Sequence, residues 1–475
     1  MSQAAASAGS ERRGAALSVD VTDLLEYLVD NDILHGVQNV VMSLIRSLHG
    51  RAGDSCRLVG FHPIYGRPFE LPLAALPAAT LQGVTAFKAQ LGIDGRRPVR
   101  SPQAIRSRHA GRPVRQAFEF AKHWLRRTAR RLSTPAAALR FLPDTGGARF
   151  AAGDVLLMPG LNVWYPEYNA LLAGEARRQG AHVAVVVHDL GPLTAPEYFP
   201  AEYTTVYRAW LDGLLPHTDL FICDSAYTDS ALRRLLEGRG AAIPSRVVPL
   251  AHELPQRAAE PVRPHIEALC ATDFVLCVGR IEPRKNLTAL VKTWTALAQS
   301  LGPGMPTLVL AGRANSRAVV AEIEAAAAAA PRLVRFAESP NDSELARLYG
   351  ACRFAVYPSL HEGWGLPVGE AACFGKLTAA SSATSIPEVV GPLAVYFDPQ
   401  DAAEMRGVLH RLLSDPAEFA ALQARLMAAF RPRSWAEVAA ATLAAIEAQF
   451  GATPARPDND RNNRKNTPIS DRTAP

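Results

Sequence analysis

Short apolar runs alternate with longer helix-patterned stretches along most of this 475-residue chain, and that alternation constrains the fold more than any other feature. In the second half the runs are FVLCV (274–278), TLVLA (307–311), LVRF (333–336), FAVY (354–357) and LTAA (377–380). Helical patterns near 286–300, 317–330, 342–350 and 366–375 separate them. A strand covered on both faces reads as an unbroken apolar run, and a helix between consecutive runs makes them parallel. The first half repeats the rhythm less regularly, in DVLLM (154–158), HVAVVV (182–187) and DLFIC (219–223). A Pro- and charge-rich stretch, ELPQRAAEPVRPH (253–265), lies between the two series and reads as a linker.

These features predict an α/β chain of two Rossmann-like domains. Residues 17–255 form the first, with a basic insertion at 85–150, and residues 256–433 form the second. Residues 434–451 are expected as a final helix returning to the N-terminal domain, and 1–16 and 452–475 as disordered polar tails. A hydrophobic content of 48% with 20% charged residues excludes fibrous, wholly disordered and multi-span membrane proteins. There is no apolar run long enough to span a bilayer, and the N-terminal MSQAAASAGSERRG lacks the hydrophobic region of a secretory signal. Six scattered cysteines show no CxxC spacing, which favours a reducing compartment and a cytoplasmic location.

The sharpest chemical signal is PSLHEGWGLPVGEAACFG (358–375). It follows the strand FAVY, so the chain turns at the C-terminal edge of a parallel sheet, where open α/β folds bind ligands. Gly363 and Gly365 let backbone approach a ligand, and Pro367 suits the first helical position, which opens a helix N-terminus suited to phosphate. Glu362 and Glu370 can each accept hydroxyl hydrogen bonds from a sugar or a ribose; the alternative is a loop acid and a dipole-favoured first-turn acid. In FVLCVGRIEPRKNL (274–287), Gly279 turns the chain out of a strand, and Arg280 and Lys285 leave the edge just before a helix. Such cations can hold a diphosphate, or can simply belong to a solvated loop. His188 ends the strand HVAVVV, either at a site or as a structural residue.

Both segments, with SATSIPEVVG (382–391) and SWAEVAAATL (434–443), resemble the retaining, nucleotide-sugar-dependent glycosyltransferases of family 4, whose fold is GT-B. The resemblance is strong over roughly 270–445 and extends to 150–255 through GDVLLMPG, VVVHDLGPL and DLFICDSAYTDSALRRL. It implies two Rossmann-like domains facing each other across a cleft. It implies that Glu362 faces the donor sugar and Glu370 the nucleotide ribose, and that Arg280 and Lys285 hold the diphosphate beside Gly279. Backbone amides around Gly363, Trp364, Gly365 and Leu366 would assist, and His188 would lie beside the reacting centre. ILHGVQNVV (33–41) resembles the family's Gly-rich turn, with Gly36 its single glycine and Asn39 where many relatives carry arginine. That turn implies phosphate or acceptor contacts at Gly36. The family generally needs no metal, no DxD-like pair stands out here, and neither metal nor cofactor is expected.

The N-terminal motifs look like those of bacterial polysaccharide mannosyl- or rhamnosyltransferases. The expectation is transfer of a hexose, with GDP-mannose the best guess over UDP-glucose or dTDP-rhamnose, to a glycan or polyprenyl-diphosphate-linked acceptor. Rival readings are a two-carboxylate glycoside hydrolase, a sugar phosphorylase, or a non-catalytic binding protein of the same fold. Phosphate-binding features argue against the first, and the absence of a lysine setting for a pyridoxal cofactor against the second. The intact Glu362, Glu370, Arg280, Lys285 and His188 argue against the third. Residues 85–150 hold fifteen Lys/Arg against three acids, a local charge of +12 in a chain whose net charge is +6. Basicity is thus one local surface and not that of a nucleic-acid-coating protein. Within it, Val114, Phe118, Ala121, Leu125 and Leu132 recur at helical spacing, flanked by Trp124 and surrounded by Arg126, Arg127, Arg130 and Arg131. This helix either docks peripherally on an anionic membrane surface or packs on the N-terminal sheet with a solvated arginine face.

Overall fold

The computed structural model describes residues 15–451, except 35, 50, 52–54, 63–66, 94–112, 116, 120, 123–124, 126–147, 165, 255–258 and 329. Thirteen described strands fall into two sheets. The first contains β1 (Leu17–Asp20), β2 (Cys56–His62), β3 (Arg67–Pro72), β4 (Val155–Met158), β5 (His182–Val187), β6 (Leu220–Cys223) and β7 (Ser245–Val247), in the spatial order 3-2-1-4-5-6-7. All its pairings are parallel except β2 with β3. The second contains β8 (Phe274–Val278), β9 (Thr307–Gly312), β10 (Val334–Glu338), β11 (Ala355–Tyr357), β12 (Thr378–Ser381) and β13 (Val395–Phe397), all parallel, in the order 10-9-8-11-12-13.

Counted from its own first strand, the second sheet has the order 3-2-1-4-5-6 of a doubly wound α/β fold, and the first repeats it with an antiparallel edge. In such sheets ligands bind at the carboxyl ends of the strands where the winding reverses. The reversal falls between β8 and β11 in one sheet and between β1 and β4 in the other. The sequence placed eight of these strands within a residue or two. It missed β1, the β2–β3 hairpin, β7 and β13, which are short or alternate polar with apolar residues.

The two units share apolar packing. One hydrophobic cluster joins Leu17, Leu24 and Val41 of the first unit to Tyr357, Trp364, Val368 and Ile386 of the second. The final helix, Trp435–Phe450, begins with a capping box from Ser434 and Glu437. It packs on the helix Val37–His49 and on β6, and the Phe450 ring stacks on His182 at 4.3 Å. Its start is tied down by the Trp435 N–H, which donates to Glu253 at 2.8 Å.

Most of the basic segment, including Leu132 and the four arginines at 126, 127, 130 and 131, lies outside the described residues. Val114, Phe118 and Leu125 are described, helical and exposed, so that part of the apolar stripe does not pack on the N-terminal sheet. Among the described residues no helix is long and apolar enough to cross a membrane.

Candidate functional site

Because β8 and β11 are adjacent and parallel, the loops that follow them leave the same sheet edge. The first runs from Gly279 through a single turn at Pro283–Lys285 to the helix Leu287–Leu301. The second runs from Pro358 to Gly365, the residue before the helix Leu366–Cys373. Pro367 is the second residue of that helix, one position later than its sequence predicts. Glu362 sits in this loop between two cations. Its Oε1 accepts from Lys285 Nζ at 2.5 Å and its Oε2 from Arg284 Nη1 at 2.6 Å. Lys285 also donates to the Tyr357 hydroxyl at 3.0 Å, and Arg284 pairs with Glu282 at 2.7 Å. Burial alone would favour the neutral acid, but the Arg284 and Lys285 charges outweigh it and hold the Glu362 carboxyl well below the usual carboxylate range. Thr384 and Ser385 fix the loop backbone, the first accepting from the Glu362 N–H and the second donating to its carbonyl.

Arg284 is the residue that sequence reasoning missed; its one signal was its place beside Lys285. Lys285 is brought directly onto Glu362, so the acid expected to face the sugar and the cation expected to face the diphosphate form one buried cluster instead of two separate groups. Gly279 lies beside it, its Cβ position 3.4 Å from the Lys285 stem. Arg280 reaches across toward the other unit. It lines a polar cavity of about 220 Å³ with Tyr27, Asp30, Asn31, Arg313 and Asn315, and Arg313 donates to the Asn31 side chain at 2.7 Å. Gly36, at φ +55 in a left-handed turn, has its Cβ position 3.9 Å from the Arg280 guanidinium. Gly36 and Arg280 therefore meet although 244 positions separate them.

Glu370 is buried in the helix Leu366–Cys373, its Oε2 accepting from the Tyr349 hydroxyl at 2.8 Å. Burial raises its pKa to about 7, against the opposing Tyr349 hydrogen bond. The sequence reading gives Trp364 a role through its backbone amide alone. Its indole is buried in the shared hydrophobic cluster and stacks toward His252, so only its backbone is available to the cleft. Leu366 likewise turns its side chain toward that cluster. Gly363 touches the opposite unit: a Cβ there would lie 1.8 Å from the His188 carbonyl oxygen. No other residue fits that approach.

His188 at the end of β5 is held at both ring nitrogens. Nδ1 lies 2.6 Å from Asp224 and Nε2 2.8 Å from the Pro159 carbonyl, and all are enclosed. Burial pushes the imidazole pKa down, but the Asp224 carboxylate and the two hydrogen bonds lift it to about 9. The ring is thus a buried imidazolium with its two donors spent inside the N-terminal unit, and its carbonyl is what meets Gly363. Beside it at the first sheet's reversal lie a buried acid, Asp20, and a half-buried one, Asp23. Asp20 accepts from the Thr22 hydroxyl at 2.6 Å, and burial raises its pKa to about 6 against that bond. Asp23 accepts from Gln38 at 3.0 Å and is also raised by burial. Sequence reasoning passed over both, since a single acid after a strand carries no motif. Among the described residues no group of three or more His, Cys, Asp or Glu is placed to hold a metal ion.

Residues 272–415 match the protein family described as glycosyl transferases group 1. The chain is 35% identical over 180 residues to the serotype-specific mannosyltransferase WbdA of Escherichia coli, a match covering 35% of this chain and 21% of that protein. It is 27% identical over 262 residues to the O-antigen chain mannosyltransferase B of Escherichia coli, covering 55% of this chain and 68% of the relative. The chain thus spans about a fifth of the length of the first of these relatives. Among solved structures, sucrose-phosphate synthase from Thermosynechococcus elongatus superposes with a TM-score of 0.55 at 18% identity, over 92% of this chain and 99% of that one. That likeness extends the shared fold over both units.

Proposed function

We propose, from the premise that this chain is a family 4-like, GT-B glycosyltransferase by its group 1 domain and its two-sheet frame, that it moves a mannose residue from GDP-mannose to a glycan in polysaccharide biosynthesis. The observation that carries the reading is Glu362 held between Arg284 and Lys285 where a second helix begins, facing the N-terminal unit across the Gly363–His188 contact. Negative charge grows on a leaving diphosphate as its bond to the sugar breaks. Fixed cations and helix N–H groups in a water-poor cleft stabilise that state more than the ground state. Lys285 and Arg284 are already oriented by Glu362, and Arg280 approaches from the same strand end. Glu362 then faces the sugar, where its charge favours an oxocarbenium-like transition state. Glu370 remains the partner for the ribose hydroxyls.

Transfer occurs with retention, the acceptor hydroxyl attacking from the face the diphosphate leaves. No enzyme nucleophile, metal or cofactor enters this reading. The acceptor is a glycan carried on a polyprenyl diphosphate, reached by peripheral attachment to an anionic cytoplasmic membrane face. The exposure of Val114, Phe118 and Leu125 beside a run of arginines supports that attachment. Thermal shift against GDP-mannose, UDP-glucose and dTDP-rhamnose tests the donor. A ligand at about 100 times its Kd adds about 2.7 kcal/mol, so the preferred nucleotide sugar raises Tm above the others. Equal shifts with all three would remove GDP-mannose as the donor. Liposome flotation tests the attachment, which should require anionic lipid and weaken at high salt.

A further inference from the structure

The cleft holds a second feature that the donor cluster does not use. Four rings form a continuous row. The His361 ring meets Phe199 edge-on at 6.2 Å, Phe199 stacks on Tyr203 at 6.3 Å, and Tyr203 meets Trp164 at 6.1 Å. The row crosses from the C-terminal loop that carries Glu362 to the N-terminal unit. Trp164 follows β4, Phe199 and Tyr203 follow β5, and His361 follows β11, so the row lies along the carboxyl ends of both sheets. Its inner end is close to the donor cations, since the His361 carbonyl accepts from Arg284 Nη1 at 3.0 Å. Its outer end is open, with Trp164 52% exposed.

Two observations say that polar partners belong beside this row. His361 is only 3% exposed, yet neither ring nitrogen has a hydrogen-bond partner among the described residues. A buried imidazole left unpaired costs free energy unless a ligand or water group satisfies it. The space is tight as well: a Cβ on Gly191 would lie 2.6 Å from Phe199 and 2.9 Å from His361 Nδ1, so the backbone beneath the row is built without a side chain. At the outer end, Asn162, two residues before Trp164, keeps a buried side-chain nitrogen without a partner among the described residues. A hexose offers apolar C–H faces to aromatic rings and hydroxyls to such nitrogens. Sites of this kind combine aromatic walls with a few placed polar groups.

We propose that Trp164, Tyr203 and Phe199, ending at His361, form an extended subsite for the acceptor glycan. The terminal hexose sits at the His361 end beside the donor, and preceding sugars stack outward to Trp164. The proposal rests on the glycosyl-transfer reading and specifies where its acceptor lies. It makes acceptor length matter: the monosaccharide reaches only the inner end, whereas an oligosaccharide covers Trp164.

The test compares full-length wild type with Trp164→Ala and His361→Phe, using mannose, an α-linked mannobiose and an α-linked mannotetraose as acceptors. In the wild type KM should fall as the acceptor lengthens. Trp164→Ala should raise KM for the mannotetraose roughly three- to tenfold while leaving mannose and donor KM unchanged. His361→Phe keeps a ring of similar shape without nitrogens and should weaken all three acceptors together. Unchanged KM for the mannotetraose in Trp164→Ala overturns the subsite. If the wild type turns over no nucleotide sugar, the failure belongs to the transferase reading, and direct binding of the mannotetraose followed by ligand NMR decides the row by itself. Binding lost in Trp164→Ala supports the subsite, and no binding to the wild type removes it.

Discussion

The two sheets meet across the cleft at equivalent positions, yet they present opposite electrostatics there. At the β8–β11 edge, charge is concentrated and paired: Glu362 with Arg284 and Lys285, Arg284 again with Glu282. At the β1–β4 edge the buried Asp20 and the half-buried Asp23 lie beside hydroxyl and amide partners, and the imidazolium of His188 is turned inward onto Asp224. Paired cations whose carboxylate partner can share them suit a diphosphate. Acids whose ionisation burial disfavours, beside aromatic rings, suit uncharged hydroxyls. One fold, used twice, thereby presents an ion-paired edge and a less charged one, according to which residues follow its strands.

The largest expected effect comes from breaking the charged side. Glu362→Gln should lower turnover by about a hundredfold or more, because it removes charge that faces the developing positive sugar. It should also destabilise the fold by about 3–5 kcal/mol, since Arg284 and Lys285 lose their buried counter-charge. Urea unfolding beside steady-state kinetics reads both. A variant as stable and active as wild type would mean that the cluster is neither structural nor functional.

On the opposite side, His188→Ala should also cost about 3–5 kcal/mol, because it leaves Asp224 buried without its partner, while nucleoside diphosphate affinity stays near that of wild type. Here pH gives a sharper signature. The folded imidazole keeps its proton up to about 9, whereas the unfolded one releases it near its ordinary value of 6.5. The associated stability is complete below about pH 6.5 and is lost as pH rises through about 9, by about 3 kcal/mol. His188→Ala should abolish that slope, and a slope that persists would assign it to other groups.

Arg280→Ala should weaken nucleoside diphosphate binding roughly tenfold by calorimetry with little change in Tm, since Arg280 holds no buried ion pair comparable to that of Lys285. Unchanged affinity would move the diphosphate away from the strand end. The smallest effect is expected at Glu370. Its carboxyl stays protonated in the folded state up to about 7, above its unfolded value of 4.5. Stability of the free protein should therefore decline as pH rises from about 4.5 to about 7, and Glu370→Gln should flatten part of that decline while reducing donor affinity severalfold. Asp20 shares the direction, so the difference between variant and wild type is the quantity to read.

The same contrast explains what was legible in the sequence. The charged side is compact in sequence as well as in space: Arg280 to Lys285 and Glu362 to Glu370 each lie within one strand-loop-helix unit, so the motifs that carry the family resemblance contain them. Arg284 was lost because adjacent cations in a turn look alike until one sees which of them reaches Glu362. The N-terminal side is assembled from residues 20, 23, 162, 164, 188, 199, 203 and 224, which lie at or beyond the ends of four different strands, β1, β4, β5 and β6. No local pattern marks such a set; only the strand order collects it. His188 shows the limit most clearly, since its position was legible but the direction of its ring depends on Asp224 and on the Pro159 carbonyl. For Trp364 the motif implied only a backbone contact, and the place of its large apolar ring, in the hydrophobic cluster beneath the loop, had no local sequence signal.

The division of the cleft into a cationic donor edge and an aromatic acceptor edge is tested most directly by following one reaction by NMR. The full-length chain is incubated with GDP-mannose and an α-linked mannotetraose, and nucleotide and anomeric signals are read together. The account predicts that GDP appears in step with a lengthened glycan carrying a new α-linkage. Intact donor after prolonged incubation, or a product with a β-linkage, would contradict it.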